Sequence, residues 1–206
     1  MTLTVLAAAD RQAAPWKNGG GVTREIAVYP PGADLETFEW RASTALVAAD
    51  GPFSFFGGVE RTLAVLEGDG LELRIDGASP VRLGPDHDPI TFPGDVAAAA
   101  SLVGGPVTDL NIMTRRGAWS ARLQRRTLGA AAQLAAKTDA CLILLLDACE
   151  VAAARSARQL APGDALLLAH GDRIDLAPRH AAARILVVEL LRSRRAAPPL
   201  AEQAEQ

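Results

Sequence analysis

The alternation of apolar and polar positions divides the chain into short strands cut by glycine, proline and aspartate turns. TLTVL (2–6), TREIAVY (23–29) and FEWRASTALV (38–47) open the series. RTLAVLEGDGLELRIDG (61–77) has the form of a hairpin, and ITFPGDVAAAASLV (90–103) and TDLNIMTRR (108–116) follow it. The second half contributes CLILLLDACEVAAA (141–154), QLAPGDALLLAH (159–170) and ARILVVELL (183–191). Period-two runs of this length between turn residues predict strands. So many at this spacing predict a sandwich or barrel rather than βαβ units. The single helix candidate is the short alanine-rich stretch Gly129 to Ala136.

One turn sequence occurs twice. Phe92-Pro93-Gly94-Asp95-Val96 returns as Ala161-Pro162-Gly163-Asp164-Ala165, each time among strands. Proline fixes φ, glycine accepts φ > 0 and aspartate caps the turn, so Pro-Gly-Asp suits a strand connection. Its repetition predicts two related β units, and the whole resembles a double cupin: an all-β chain of two RmlC-like jelly rolls with little helix. The expected division is 1–118 for the first unit and 119–192 for the second. A frayed tail over 193–206 is expected to follow, with Pro198 and Pro199 inside it.

Length and charge narrow the picture. A chain of 206 residues can bury one large all-β core or two small ones. A net charge of −3 gives no electrostatic case for nucleic acid or an anionic membrane surface. The start MTLTVLAAADRQ lacks the basic and long apolar regions of a signal peptide. Asp147 ends the most apolar run far short of a membrane span. A soluble cytoplasmic protein is therefore expected, with Cys141 and Cys149 as buried free thiols. Of the 21 basic residues only Lys17 and Lys137 are lysine, which makes Lys17 the odd cation in its stretch.

Metal ligands are sparse. His87 stands in a turn-like GPDHDP, His170 and His180 lie ten residues apart in the second half, and no HxH exists. No metal and no other cofactor is expected.

The informative polar residues lie on strands. Side chains alternate between two faces, so Asp109, Asn111, Met113 and Arg115 share one and Leu110, Ile112 and Thr114 the other. By the same count Arg24 joins Ile26 and Val28, Arg61 joins Leu63 and Val65, and Arg41 joins Ser43. An arginine on an apolar face is costly unless it is paired or binds something. Asp109, Glu25 and Glu67 are too few to neutralise these arginines. Two arrangements satisfy the pattern: a pocket for a carboxylate or phosphate, which the guanidinium fork matches, or an internal Arg–Asp network. In PWKNGGGVTREI the lysine precedes the glycines, so the stretch is no Walker loop and no GxGxxG. Its glycines permit either a flexible loop or a close approach of main-chain N–H groups to a ligand. GPFSFFGG (51–58) holds three of the five phenylalanines and reads as a barrel plug, with Ser54 able to offer a hydroxyl.

Taken in order, PWKNGGGVTREI, FEWRAS, DGPFSFFGGVERTLAVLEGDG, FPGD and DLNIMTRRG resemble the HutD/Ves family over about residues 14 to 117. The second half resembles it in length and strand pattern. Where that family usually has FPGVDR, this chain has Phe56-Gly57-Gly58-Val59-Glu60-Arg61 and keeps the arginine. The resemblance implies a bicupin without metal histidines, a homodimer, and a link to histidine utilisation through a small acidic metabolite. Its polar motif positions fall on Lys17, Asn18, Gly20, Thr23, Arg24, Glu25, Arg41, Ser43, Ser54, Arg61, Asp109, Asn111 and Arg115.

The first functional expectation is metal-independent binding of an acid such as N-formylglutamate or urocanate, in a regulatory or buffering role. Arg24, Arg41, Arg61 and Arg115 would grip carboxylates, Asn18, Asn111 and glycine N–H groups would orient the ligand, and Asp109 would hold an arginine. The alternative is a metal-free isomerase or hydrolase on a similar acid. There Lys17 would act as base or Schiff-base amine if burial among arginines favoured its neutral form, with Asp109 or Glu25 as partner. A third possibility is an interaction module whose polar cluster is architectural.

Overall fold

The computed structural model describes residues 4–17, 19–153 and 156–193. The expectations placed on Asn18 and on residues 194–206 fall outside it. β1 (Thr4–Leu6), a 3-10 turn at Ala8–Asp10 and β2 (Ala13–Pro15) lead into β3 (Gly21–Tyr29). The first unit continues with β4 (Trp40–Val47), β5 (Gly51–Pro52), β6 (Val59–Glu67) and β7 (Leu71–Ile75). It closes with β8 (Val81–Leu83), β9 (Ile90–Pro93), β10 (Ala98–Leu102) and β11 (Val107–Arg115). The second unit runs through β12 (Trp119–Leu128), β13 (Ala132–Ala135), β14 (Ala140–Leu145) and β15 (Cys149–Ala153). It ends with β16 (Ser156–Leu160), β17 (Ala165–Ala169), β18 (Arg173–Pro178) and β19 (Ala183–Arg192).

Strand order reveals the duplication. The first unit has one sheet ordered β2-β3-β4-β11-β6-β9 and another ordered β5-β10-β7-β8. The second has β12-β19-β14-β17-β1 and β13-β18-β15-β16. Shifting each label from β4 to β11 by eight reproduces the second unit, so the two are the same antiparallel jelly roll. One pairing crosses the expected division at residue 118: β1 adds to the edge of the second unit's sheet, with Val5 opposite Leu166.

Two expectations need correction. The Pro-Gly-Asp turns are not equivalent positions. The first joins β9 to β10 and the second joins β16 to β17, whereas β17 is the counterpart of β9. The corner that matches Phe92-Pro93-Gly94-Asp95 is Ala169-His170-Gly171-Asp172. Gly163 and Gly171 both have positive φ, and Asp164 and Asp172 each accept the N–H three residues back at 2.9 Å. Asp95 instead accepts from Gly58 N–H and pairs with Arg116. The helix candidate is also a strand. Eight residues are too few for a stable isolated helix, and β13 finds a ladder on β18 with Leu134 turned into the second unit's core.

The two larger sheets pack face to face. Trp40, Ala42, Leu110 and Ile112 share one apolar cluster with Leu142, Leu144, Leu186, Val188 and Leu190. Each jelly roll also has its own interior. That of the second unit is apolar throughout, from Leu134 and Ile143 to Ile174 and Val187, and it holds both cysteines as buried free thiols. Burial pushes Cys141 up to about 11. The first interior is apolar at one end, around Leu63, Leu71, Leu73 and Phe92, and polar at the other. All five buried polar or charged side chains among the described residues, Ser43, Arg61, Thr62, Asp109 and Thr114, belong to the first unit. No helix among the described residues is long and apolar enough to cross a membrane.

Candidate functional site

A cavity of about 680 Å³ opens at the polar end of the first jelly roll. Neighbouring strands β4, β11 and β6 build its floor. Asp109 stands opposite Ala45 on one side and Val65 on the other, and Asn111 stands opposite Ser43 and Leu63. Arg61 and Arg41 flank Met113 in the same way. The alternate residues of these strands are spent on the contact between units, which fixes the register and aims Arg41, Ser43, Arg61, Asp109 and Asn111 into one space.

Arg61 is the deepest cation, 4% exposed. Its hydrogen bonds to Asn111 Oδ1 and to the carbonyl of Ser54 are both long, at 3.4 Å. No carboxylate lies within 4.0 Å of it among the described residues. Aromatic faces hold it instead, with the guanidinium carbon 4.6 Å from the Phe53 ring centre, 5.6 Å from Phe92 and 5.8 Å from Phe56. Burial lowers its pKa to about 10, against the attraction of Asp109. The Phe53–Phe56 loop is therefore a seat for Arg61 rather than only a plug, although Phe55 at its tip is 70% exposed.

Asp109 does not hold an arginine in an ion pair. It is 2% exposed, and its Oδ1 has no hydrogen-bond partner among the described residues. Burial raises its pKa to about 7, opposed by the charge of Arg61 and the N–H of Ala45. Arg41 is paired at 2.7 Å with Glu25 and reaches Ser43 Oγ at 3.4 Å. Glu25 itself does not line the cavity.

Arg24 faces away. Thr23 pairs with Ala45 on the cavity face, so Arg24, opposite Thr44, falls on the other side and is exposed. A bulge between Glu25 and Ala27 then turns Val28 to the face opposite Ile26, so the predicted Arg24–Ile26–Val28 set breaks up. Arg115 shares the face of Asn111 but lies past the cavity. It donates to the carbonyls of Phe38, Gly57 and Glu36, tying the segment before β4 to the phenylalanine loop.

The glycine stretch forms the turn between β2 and β3. Gly19 adopts φ +71° and donates to the Trp16 carbonyl at 3.0 Å, so its N–H is already used. Gly21 has no room for a side chain, because a Cβ there would lie 2.5 Å from Leu46 O and 3.0 Å from the Trp16 ring. That close approach lays Trp16 along the cavity wall, with Nε1 donating to Thr23 Oγ1 at 2.8 Å. Lys17 lines the mouth from an exposed position, without the burial an activated amine requires. Gly21→Ala is expected to cost about 2–3 kcal/mol, and Gly19→Ala, with open space and only a left-handed φ to bear, about 1 kcal/mol. Urea denaturation of both variants checks that order.

Sequence reasoning missed Trp16, Phe53, Phe56 and Asp50, all on the lining. Three aromatics within five residues of each other, followed closely by a strand arginine, were the available signal for Arg61's seat. Among the described residues, the lining has no histidine or cysteine, and one of its two carboxylates, Asp50, accepts the N–H of Leu102. This donor set does not fit a first-row metal such as cupins often hold. A second cavity of about 400 Å³ lies between the units, but its cation Arg192 is already stacked on Tyr29 and Trp119 and hydrogen-bonded to Tyr29.

Known proteins agree with this architecture. An uncharacterised 21.2 kDa protein encoded in the hutC 3' region of Pseudomonas putida is 40% identical over 122 residues, 59% of this chain and 63% of that one. Protein Ves of Citrobacter koseri is 43% identical over 111 residues, 53% of this chain and 56% of its own length. The chain thus spans less than two thirds of the length of these curated relatives. The structure of HutD from Pseudomonas fluorescens superposes with a TM-score of 0.77 at 30% identity, covering 93% of this chain and 99% of that one. A cupin 2 conserved barrel protein from Leptotrichia buccalis shares the fold at 12% identity and a TM-score of 0.54, over 85% of this chain and 91% of its own. The HutD family model matches residues 8–186, and the chain belongs to the HutD family.

Proposed function

We propose that the chain binds a small acidic metabolite, without a metal, in the cavity of its first jelly roll. The observation that carries this reading is Arg61: a buried guanidinium beside a 680 Å³ space, with no carboxylate of the described residues within 4.0 Å. A ligand carboxylate would supply the charge-assisted hydrogen bonds that the protein leaves long. The hut-region relative and the HutD structure support a link to histidine utilisation; the role proposed there is regulatory or buffering, in the cytoplasm. N-formylglutamate and urocanate are acids of suitable size. Calorimetric titration with both, and with glutarate, is expected to give saturable binding. Absence of heat and of any thermal-shift response at millimolar ligand would sink the proposal.

One observation favours a second reading, an enzyme acting on a similar acid. Asp109, buried on the floor with its carboxyl near 7, has the poise of a general acid or base. Turnover followed by NMR, lost in Asp109→Asn, separates a catalyst from a binder.

A further inference from the structure

Asp109 is a buried carboxyl without a counter-ion. It lies on the cavity floor within β11, and its Oδ1 has no hydrogen-bond partner among the described residues. The charged groups on the lining come from four places. Arg41 and Arg61 stand on the neighbouring strands β4 and β6, Asp50 in the link from β4 to β5, and Lys17 in the turn from β2 to β3. Arg41 is held by Glu25, which lies off the lining, and Asp50 accepts the N–H of Leu102. The described residues of β3 and β10 that reach the cavity, Thr23 and Ala100, carry no charge. No cation of the described residues lies within 4.0 Å of Asp109. A carboxylate buried in this way is costly, and taking a proton relieves the cost. Protonation also turns the carboxyl into an O–H donor, which a ligand anion can accept.

We infer that acid binding in this cavity is coupled to proton uptake: the ligand anion docks on Arg61, and Asp109 takes a proton from solvent and donates it in a hydrogen bond to an oxygen of the same ligand. The inference rests on the acid-binding reading above and adds its dependence on pH. Asp109 and Asn111, the residue that Arg61 touches, are alternate positions on one strand, about 7 Å apart, so one small acid spans both. An anion at Arg61 acts on Asp109 in two ways. It offsets the cation that favours the carboxylate, and it brings a like charge close. Both favour the neutral acid, so the complex keeps the proton to a higher pH than the free protein does. The free protein releases it at about 7. Well below that value Asp109 is already neutral and binding takes up no proton. Above it each ligand brings one, and affinity falls by up to about tenfold per pH unit. Arg61, lowered to about 10, changes protonation above this window.

N-formylglutamate and glutarate, whose carboxyls are ionised above about pH 6, are titrated into the full chain. Calorimetry at pH 8 in Tris and in triethanolamine, cationic buffers of different ionisation enthalpy, is expected to report uptake of about 0.5–0.9 proton per ligand. The dissociation constant is expected to rise at least about fivefold between pH 6.5 and pH 8.5. Asp109→Asn keeps a donor but has no proton to gain, so its uptake is expected to fall below about 0.1 and its affinity to stay flat over the same range. Asp109→Ser takes its place if the asparagine variant has no cooperative melt. Binding without proton uptake, or uptake that persists in the variant, overturns the inference and leaves acid binding standing. Failure of both acids to bind at either pH overturns both.

Discussion

Arg61→Met is expected to weaken acid binding at least about a hundredfold while leaving the melting temperature unchanged or raised. The two effects part because Arg61 is poorly served by its own protein. Its polar partners are two hydrogen bonds at 3.4 Å, near the limit of a useful contact, and three phenylalanine faces. Desolvation outweighs these, as the lowered pKa of about 10 records. Replacing a buried, weakly compensated charge with an apolar chain of similar length is often neutral or stabilising, and methionine fills irregular space among aromatic rings. The ligand, by contrast, loses the deepest cation on the lining among the described residues. Calorimetry and thermal melts of the same samples check both halves. A loss of about 3 kcal/mol or more in stability with binding retained would show that Arg61 is architectural, as in the Arg–Asp network.

The long strands of the first unit were legible because alternation is a local property, whereas β12 (Trp119–Leu128), β18 (Arg173–Pro178) and the short β2, β5 and β8 were not read, and β13 was read as helix. Arg41, Ser43, Arg61, Asp109 and Asn111 were legible for the same reason, since each shares a face with residues committed to one side of a continuous strand. The errors came where one residue decides a face. Arg24 keeps the parity with Ile26 that was read for it, but their face is the one turned away from the cavity, and the bulge between Glu25 and Ala27 removes Val28 from the set. Nothing in TREIAVY announces a bulge. Its neighbour Thr23, paired with Ala45, is the residue that meets the cavity.

Arg115 shows a different limit. The parity was right, but a strand residue near the end of a barrel can reach past the pocket. Arg115 meets the carbonyls of two loops whose positions depend on distant chain. The repeated Pro-Gly-Asp led to the correct architecture through positions that do not correspond. Turn chemistry recurs wherever a tight strand connection is needed, so its repetition reports the kind of corner and not which corner. Strand order exposes the correspondence of β9 with β17. Glycines 19 to 21 were open between loop and site. Gly21 resolves that: its bare Cα lets Trp16 and the Leu46 carbonyl close in, so the stretch shapes the wall by packing.

Asp109 gives the second large effect, a pH dependence of stability that Asp109→Asn should remove. The folded carboxyl sits at about 7, whereas an unfolded aspartate sits near 3.9. Between those values the folded state keeps a proton that the unfolded state has lost. Wild-type stability therefore falls as pH rises from about 4 through about 7 and levels off above. The full amplitude is on the order of 4 kcal/mol. Asp95, lowered to about 2 chiefly by Arg116, acts with the opposite sign, but its contribution is lost only as pH falls below about 4. Arg61, lowered to about 10, titrates above the window. Urea denaturation of wild type and Asp109→Asn at pH 5 and pH 8 isolates the carboxyl, because groups common to both proteins cancel in the difference. The variant is expected to gain on wild type by roughly 2–3 kcal/mol between those pH values. A difference that stays flat would mean that Asp109 is already ionised at pH 5. The cavity floor would then hold a permanent anion at neutral pH, and the raised value would be ruled out.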